Sequence, residues 1–271
     1  MDFFPLYINW DASPIIVDFG IISLRWYGLL FASGFLIGLY IVQRMFKEEN
    51  VPEAWLDKAF IYVVLGAVIG ARLGHVFFYD WDYYAEHLLE IPQIWKGGLA
   101  SHGGAIGIIL SLWLFSVRVS KKSILWILDK VVVPTALAGC FIRLGNLMNS
   151  EIIGKPTDVA WGFIFERVDG PNGPARHPVQ LYESISYLLI FVVLYLTYWR
   201  TNKRFKPGYL FGMFLILIWG ARFVLERFKA SQGGLEEAFG NTLSTGQLLS
   251  IPFILIGLYF VFRPNPGQQE K

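Results

Sequence analysis

Charge and cysteine are scarce in this sequence. Asp, Glu, Lys and Arg make up 16% of its 271 residues, below the quarter that an ordinary soluble domain carries. The single cysteine, Cys140, excludes an internal disulfide framework. With only four histidines and no HExxH or His-rich cluster there is no zinc pattern, so we expect neither a metal site nor a cofactor. The GxSG serine motif of intramembrane proteases and the P-loop are both missing. No Lys or Arg precedes Arg25, so a cleavable secretion signal with a positive n-region is not expected. A net charge of +2 with scattered basic residues speaks against nucleic-acid binding.

What is abundant is apolar surface. The chain is 55% hydrophobic and 17% aromatic, with a mean hydropathy of +0.48, which points to lipid as the solvent. We therefore expect an all-α, polytopic membrane protein with seven transmembrane helices, forming a single domain over residues 1–271. The apolar runs are Trp26 to Val42, Ala59 to Tyr79, Gly103 to Val117, Ile124 to Ile142, Leu181 to Trp199, Tyr209 to Leu225 and Leu248 to Phe262. Residues 1–21 suit an interfacial segment, and 80–98 read as a loop. Residues 150–178, rich in Gly, Pro and charge, read as a folded extracytoplasmic loop region between spans four and five.

Seven spans place the two termini on opposite sides, and the basic residues choose between the two orientations. One set of loops holds twelve: Arg44, Lys47, Lys58, Arg118, Lys121, Lys122, Arg200, Lys203, Arg204, Lys206, Arg263 and Lys271. The opposite loops hold about half as many, so the N-terminus is expected outside and the C-terminus in the cytoplasm. In that orientation Arg72, Arg143, Arg222 and Glu226 lie near the outer ends of their spans, as do Tyr27 and His102. Lys130, at an inner end, is the exception.

Arg143 to Gly154, with Asn146, Asn149 and Glu151 between them, follows directly on an apolar run. Ionisable groups inside a span are costly and are usually retained for function. Arg143 and Asn146 share a helix face and offer donors suited to a phosphate; the other reading is an arginine snorkelling to the headgroups. Arg222 and Glu226, one turn apart, form either a local ion pair or a cation turned toward an anion. His102 opens a span before Gly103 and Gly104, where free N–H groups favour an anion; the alternative is an interfacial histidine bonded to a neighbour. Gly66, Gly70 and Gly74 form tandem GxxxG spacings that set Arg72 beside a tight helix contact. Cys140 reads as packing.

These stretches resemble the bacterial prolipoprotein diacylglyceryl transferases over nearly the whole chain. The likeness runs through Arg25–Gly28, Gly70–Gly74, Ser101–Gly104, Arg143–Gly154, His177–Glu183, and Arg222 with Glu226. The sequence departs from the family's usual residues at Ile142, Leu147, Ile218 and Lys229. The resemblance implies transfer of a diacylglyceryl group from phosphatidylglycerol to the lipobox cysteine of a prolipoprotein signal peptide, at the outer leaflet of the bacterial inner membrane. It implies His102 as base, Arg143 and Arg222 as stabilisers of the phosphate, and Tyr27, Arg72, Asn146, Asn149, Glu151, Gly154 and Glu226 as substrate-binding residues. The competing classes are a transporter or channel with an anion site at the outer leaflet, and an assembly protein whose arginines bind anionic lipid. Polar groups gathered at one leaflet, with no pair of broken spans, argue against transport.

Overall fold

The structure, a computed structural model, describes residues 7–20, 22–230 and 243–264. Lys271 and the first six residues of the expected interfacial segment lie outside the described residues. In chain order the helices are α1 (Trp26–Glu48), α2 (Ala54–Phe78), α3 (Trp81–Glu86), α4 (Ser101–Phe115), α5 (Ile124–Met148), α6 (Glu166–Asp169), α7 (Val179–Arg200), α8 (Tyr209–Leu225) and α9 (Thr245–Phe262). Seven of them, all but α3 and α6, are long and apolar enough to cross a membrane, α4 being extended by a π turn to Ser120 and α8 by a 3-10 turn to Phe228. The expected spans are thus all present, and the fold is all-α and polytopic.

The ends differ from the apolar runs for a physical reason. Hydropathy stops at Val42 and Ile142, but α1 continues to Glu48 and α5 to Met148. Arg44, Lys47, Arg143 and Asn146 are adequate helix formers or have partners, so the backbone ladder continues past the last apolar residue. Arg143 and Asn146 accordingly sit inside a helix.

The chain divides into two compact units, residues 39–130 and residues 1–38 with 131–271. In the smaller unit α2 and α4 meet along their glycines. A Cβ added at Gly70 would lie 2.7 Å from the Gly107 Cα, and one at Gly74 would lie 2.6 Å from the Gly103 Cα. The two backbones touch, so dispersion between them replaces side-chain packing. Gly103 and Gly104 therefore serve contact with α2, which is the structural outcome for the SHGG stretch. Arg72 lies one turn along, 3% exposed.

The inner-end exception, Lys130, is also accounted for within this unit. Its Nζ lies 2.9 Å from Glu49 Oε1 and 4.2 Å from the centroid of the Trp126 ring, whose Nε1–H donates to Glu49 Oε2 at 2.8 Å. A buried ammonium persists because carboxylate and aromatic face both neutralise it.

The larger unit carries short strands β1 (Ile8–Trp10), β2 (Ile15–Asp18), β3 (Ser23–Arg25) and β4 (Phe163–Phe165). β2 and β3 form an antiparallel hairpin, and β1 runs parallel to β4, which ties the N-terminal segment to the 150–178 region. Trp10 closes this junction: it packs 5.4 Å from Phe163 and donates from Nε1 to the Leu147 carbonyl at the end of α5. Gly34 and Gly38 of α1 lie on Ala138 and Pro134 of α5, and α8 crosses α9 at Gly212 and Gly257. Cys140 of α5 is buried with its Sγ 3.1 Å from Ser184 Oγ of α7, a packing role as expected. Within residues 150–178, the Arg176 guanidinium takes both Asp169 oxygens at 2.6 and 2.9 Å. The Arg176 guanidinium holds the Asp169 carboxyl below the usual carboxylate range.

Candidate functional site

The polar stretch after the apolar part of α5 is a connected hydrogen-bond network. Because α5 remains helical, Arg143 and Asn146 stack one turn apart, and Arg143 Nη1 donates to Asn146 Oδ1 at 3.2 Å. Asn146, 6% exposed, donates from Nδ2 to Glu151 Oε2 at 3.0 Å, and Asn149 donates to Glu151 Oε1 at 2.9 Å. Each Asn orients one oxygen of the acid.

Glu151 reaches this position by a tight reversal. Ser150 and Ile152 on either side have φ of 56° and 55°, in the left-handed region, which is a rare conformation for a β-branched isoleucine. The reversal sends the Glu151 carbonyl to Gln180 Nε2 at 2.6 Å and its amide to the Asn146 carbonyl at 2.9 Å. Gln180, fully buried at the start of α7, thereby fixes the turn. The chain then passes Gly154, whose amide donates to the His177 carbonyl; a Cβ there would lie 2.7 Å from the His177 Cβ. Gly154 also forms an antiparallel bridge with Lys229, which sets the 226–230 segment alongside it.

That segment supplies the part of the network the sequence reading did not single out. Glu183 of α7 is completely buried, with Oε2 2.9 Å from Arg143 Nε and Oε1 2.7 Å from Lys229 Nζ. Both are close ion pairs without hydrogen-bond alignment. Lys229 Nζ also lies 3.6 Å from Glu226 Oε2. The signal in the sequence was an acid two residues into an apolar span, the same cost argument that singles out Arg143. Lys229, beyond the last apolar residue of its helix, carried no such signal.

Glu226 does not pair with Arg222 among the described residues. Its carboxylate instead faces the first turn of α9, where a Cβ on Gly246 would lie 2.6 Å from Oε2. The free amides there favour an anion, and Ser244 and Gln247 form a capping box around them. Arg222 keeps a buried Nε with no hydrogen-bond partner and stacks 5.5 Å over Trp219. Of the two readings left open for this pair, the local ion pair is not the one found. Tyr27 lies against α5 at Gly145, between Arg143 and Asn146: a Cβ on Gly145 would be 2.7 Å from the Tyr27 ring. Tyr187, buried, sets its hydroxyl beside Arg143.

The larger unit thus brings together Tyr27, Arg143, Asn146, Asn149, Glu151, Gly154 and Glu226, with Arg222 one turn before Glu226. Arg72 and His102 belong to the smaller unit. Arg72 donates to the carbonyls of Ile91 at 2.7 Å, Glu90 at 2.7 Å, Gly97 at 2.7 Å and Gly98 at 3.3 Å, and stacks 4.8 Å over Tyr84. A guanidinium has five N–H donors, and four bonds to one loop make Arg72 its pin. The expectation that Arg72 binds substrate directly is met by no free fork. His102 is exposed in the first turn of α4, whose cap residue Ala100 offers no side-chain acceptor.

No group of three or more His, Cys, Asp and Glu is set to hold a metal among the described residues. What the network can do is hold an anion: Arg143 retains N–H groups beyond those used on Glu183 and Asn146, and among the described residues no carboxylate pairs with Arg222, whose Nε has no hydrogen-bond partner.

The family model described as prolipoprotein diacylglyceryl transferase matches residues 14–263. A protein of Tolumonas auensis named phosphatidylglycerol–prolipoprotein diacylglyceryl transferase is 50% identical, over 92% of this chain and 94% of its own length. Proteins of the same name from Chloroherpeton thalassium and Porphyromonas gingivalis are 49% and 44% identical, each over 98% of this chain and 97% and 98% of their own lengths. The network around Arg143 thus lies within a match that takes in every spanning helix, and the chain belongs to the prolipoprotein diacylglyceryl transferase family.

Proposed function

We propose that this protein transfers the diacylglyceryl group of phosphatidylglycerol to the lipobox cysteine thiol of prolipoproteins in the bacterial inner membrane. The family membership names the reaction, and the observation that carries it to these residues is the Arg143 network, a half-buried guanidinium oriented by Glu183 and Asn146 with donors to spare. Both compact units serve one catalytic domain. The excess of basic residues in one set of loops supports an active site toward the outer leaflet, with the N-terminus outside.

In the reaction the thiol loses its proton and the thiolate attacks the glyceryl carbon. A C–S bond forms, the C–O bond to phosphate breaks, and glycerol phosphate leaves with the electron pair. A thiol with an ordinary pKa of about 8.5 needs a base, and His102 is assigned that role. Arg143 and Arg222 stabilise the charge that collects on the phosphate, where fixed donors in a water-poor site outperform water. Asn146, Asn149 and Glu151 shape the headgroup site, and Tyr27 lines its edge. Gly154 lies alongside the Lys229 segment, Glu226 closes the site, and Arg72 serves by holding the 90–98 loop.

The test is direct. Purified protein is incubated with phosphatidylglycerol and a lipobox peptide, and the peptide is weighed by mass spectrometry. A diacylglyceryl mass gain that disappears when the peptide cysteine is serine is the expected result. No gain from folded protein refutes transfer and leaves transport or lipid binding. For the base, His102→Gln is expected to lose transfer across neutral pH; retained activity removes that assignment.

A further inference from the structure

We infer that Glu183 is the positioning residue of this site: it holds Arg143 by the Nε edge and Lys229 by the ammonium, so that the other edge of the guanidinium is presented to the phosphate. The inference rests on the proposed transfer reaction. The charges alternate in order along one row, Arg143, Glu183, Lys229, Glu226, and then the N-terminus of α9. This row joins α5, α7, the segment after α8, and α9 through side chains alone. Glu183 links the two cations of the row, and its side chain has no exposure at all.

Three observations separate a positioning role from plain charge balance. Each oxygen of Glu183 meets a different cation, at 2.9 and 2.7 Å, so the carboxylate anchors the position of both. Its contact with Arg143 is at Nε, on the side edge of the fork, which leaves the Nη edge to Asn146, the Tyr187 hydroxyl and a ligand. And Lys229 draws Glu226 toward itself at 3.6 Å, so the carboxylate one turn from Arg222 is occupied elsewhere. One buried anion thereby sets the aim of Arg143 and, through Lys229, draws Glu226 away from Arg222. A guanidinium moved by an ångström loses most of its effect on a developing charge.

The experiment compares wild type, Glu183→Asp and the double variant Glu183→Gln/Lys229→Met in the peptide assay, with rates expressed per folded molecule. The double variant removes one anion and one cation, so its buried charge stays balanced. We expect kcat to fall about 100-fold in the double variant and about 10-fold in Glu183→Asp, with KM for phosphatidylglycerol changed by less than about threefold in each. A merely structural glutamate would lower the yield or unfolding temperature and leave kcat per folded molecule alone; that outcome overturns the inference. If the double variant does not fold, Glu183→Asp decides, and a wild-type kcat in it is equally fatal. Absence of transfer by the wild-type chain sinks the reaction and the positioning role together, whereas transfer by wild type with undiminished variants sinks the positioning role alone.

Discussion

Arg72 is buried and Arg143 is half-buried, both near the ends of apolar helices, and the two surroundings answer the burial cost in opposite ways. Arg72 is satisfied by neutral backbone carbonyls that converge from one loop, and nearly every donor is used. Arg143 is held by a carboxylate and an amide, with part of its fork left open. Carbonyl bonding turns a cation into a structural pin. A shared carboxylate on one edge makes it an oriented donor for something else.

The sharpest way to break that contrast is Arg143→Lys. The ammonium keeps the charge but cannot contact Glu183, Asn146 and a phosphate in one plane, and we expect transfer to fall by about 1,000-fold, roughly 4 kcal/mol in the barrier. The fold is expected to persist, which circular dichroism and gel filtration check. Wild-type turnover would mean that the open fork has no task. Arg72→Met tests the other side. It orphans loop carbonyls at a cost of roughly 1–3 kcal/mol, so limited proteolysis should cut residues 86–98 first, while transfer falls only about tenfold. A larger loss from Arg72→Met than from Arg143→Lys would reverse the comparison.

A third case lies between the two. Lys130 is paired with Glu49, so Lys130→Met alone is expected to destabilise by about 3 kcal/mol through the stranded carboxylate, and Glu49→Gln added to it should recover most of that. Unfolding midpoints of the single and double variants measure the recovery. The smallest effect concerns Asp169 and Arg176, outside the spans. Since Arg176 lowers the Asp169 pKa, their contribution is present above the usual aspartate value near 3.9 and disappears as pH falls through the lowered one. Proteolysis of the 150–178 region should therefore quicken only in acid well below pH 4, and Asp169→Asn should flatten that dependence.

Much of this was legible in the residues. Span number follows from apolar run length, and Gly66, Gly70 and Gly74 announced a helix contact because nothing but a backbone fits there. Arg143 and Asn146 were legible as a pair because their spacing is helical. What the sequence could not reveal is which long-range partner each polar group takes. Glu183 stands 40 positions beyond Arg143 and Lys229 another 46 beyond that, and no local periodicity links them. Arg222 and Glu226 show the same limit: their spacing left a local pair and an anion-facing cation equally open, and the tertiary fold decided by putting Lys229 and the start of α9 against the acid. Arg72 was expected at the substrate from the family resemblance and its place near a span end, and its four loop carbonyls lie 18 to 26 positions away, beyond any local pattern.

The left-handed residues on either side of Glu151 have an implication for engineering. Ile152 at positive φ carries a penalty of roughly 1–2 kcal/mol that glycine would not. Ile152→Gly should thus be among the easiest routes to a hardier enzyme, although the extra freedom of glycine in the unfolded chain offsets part of the gain. The same change would slacken the turn that aims Glu151 at two asparagines. We expect a protein that melts later and works more slowly, its thermostability and its turnover set against each other at one backbone angle.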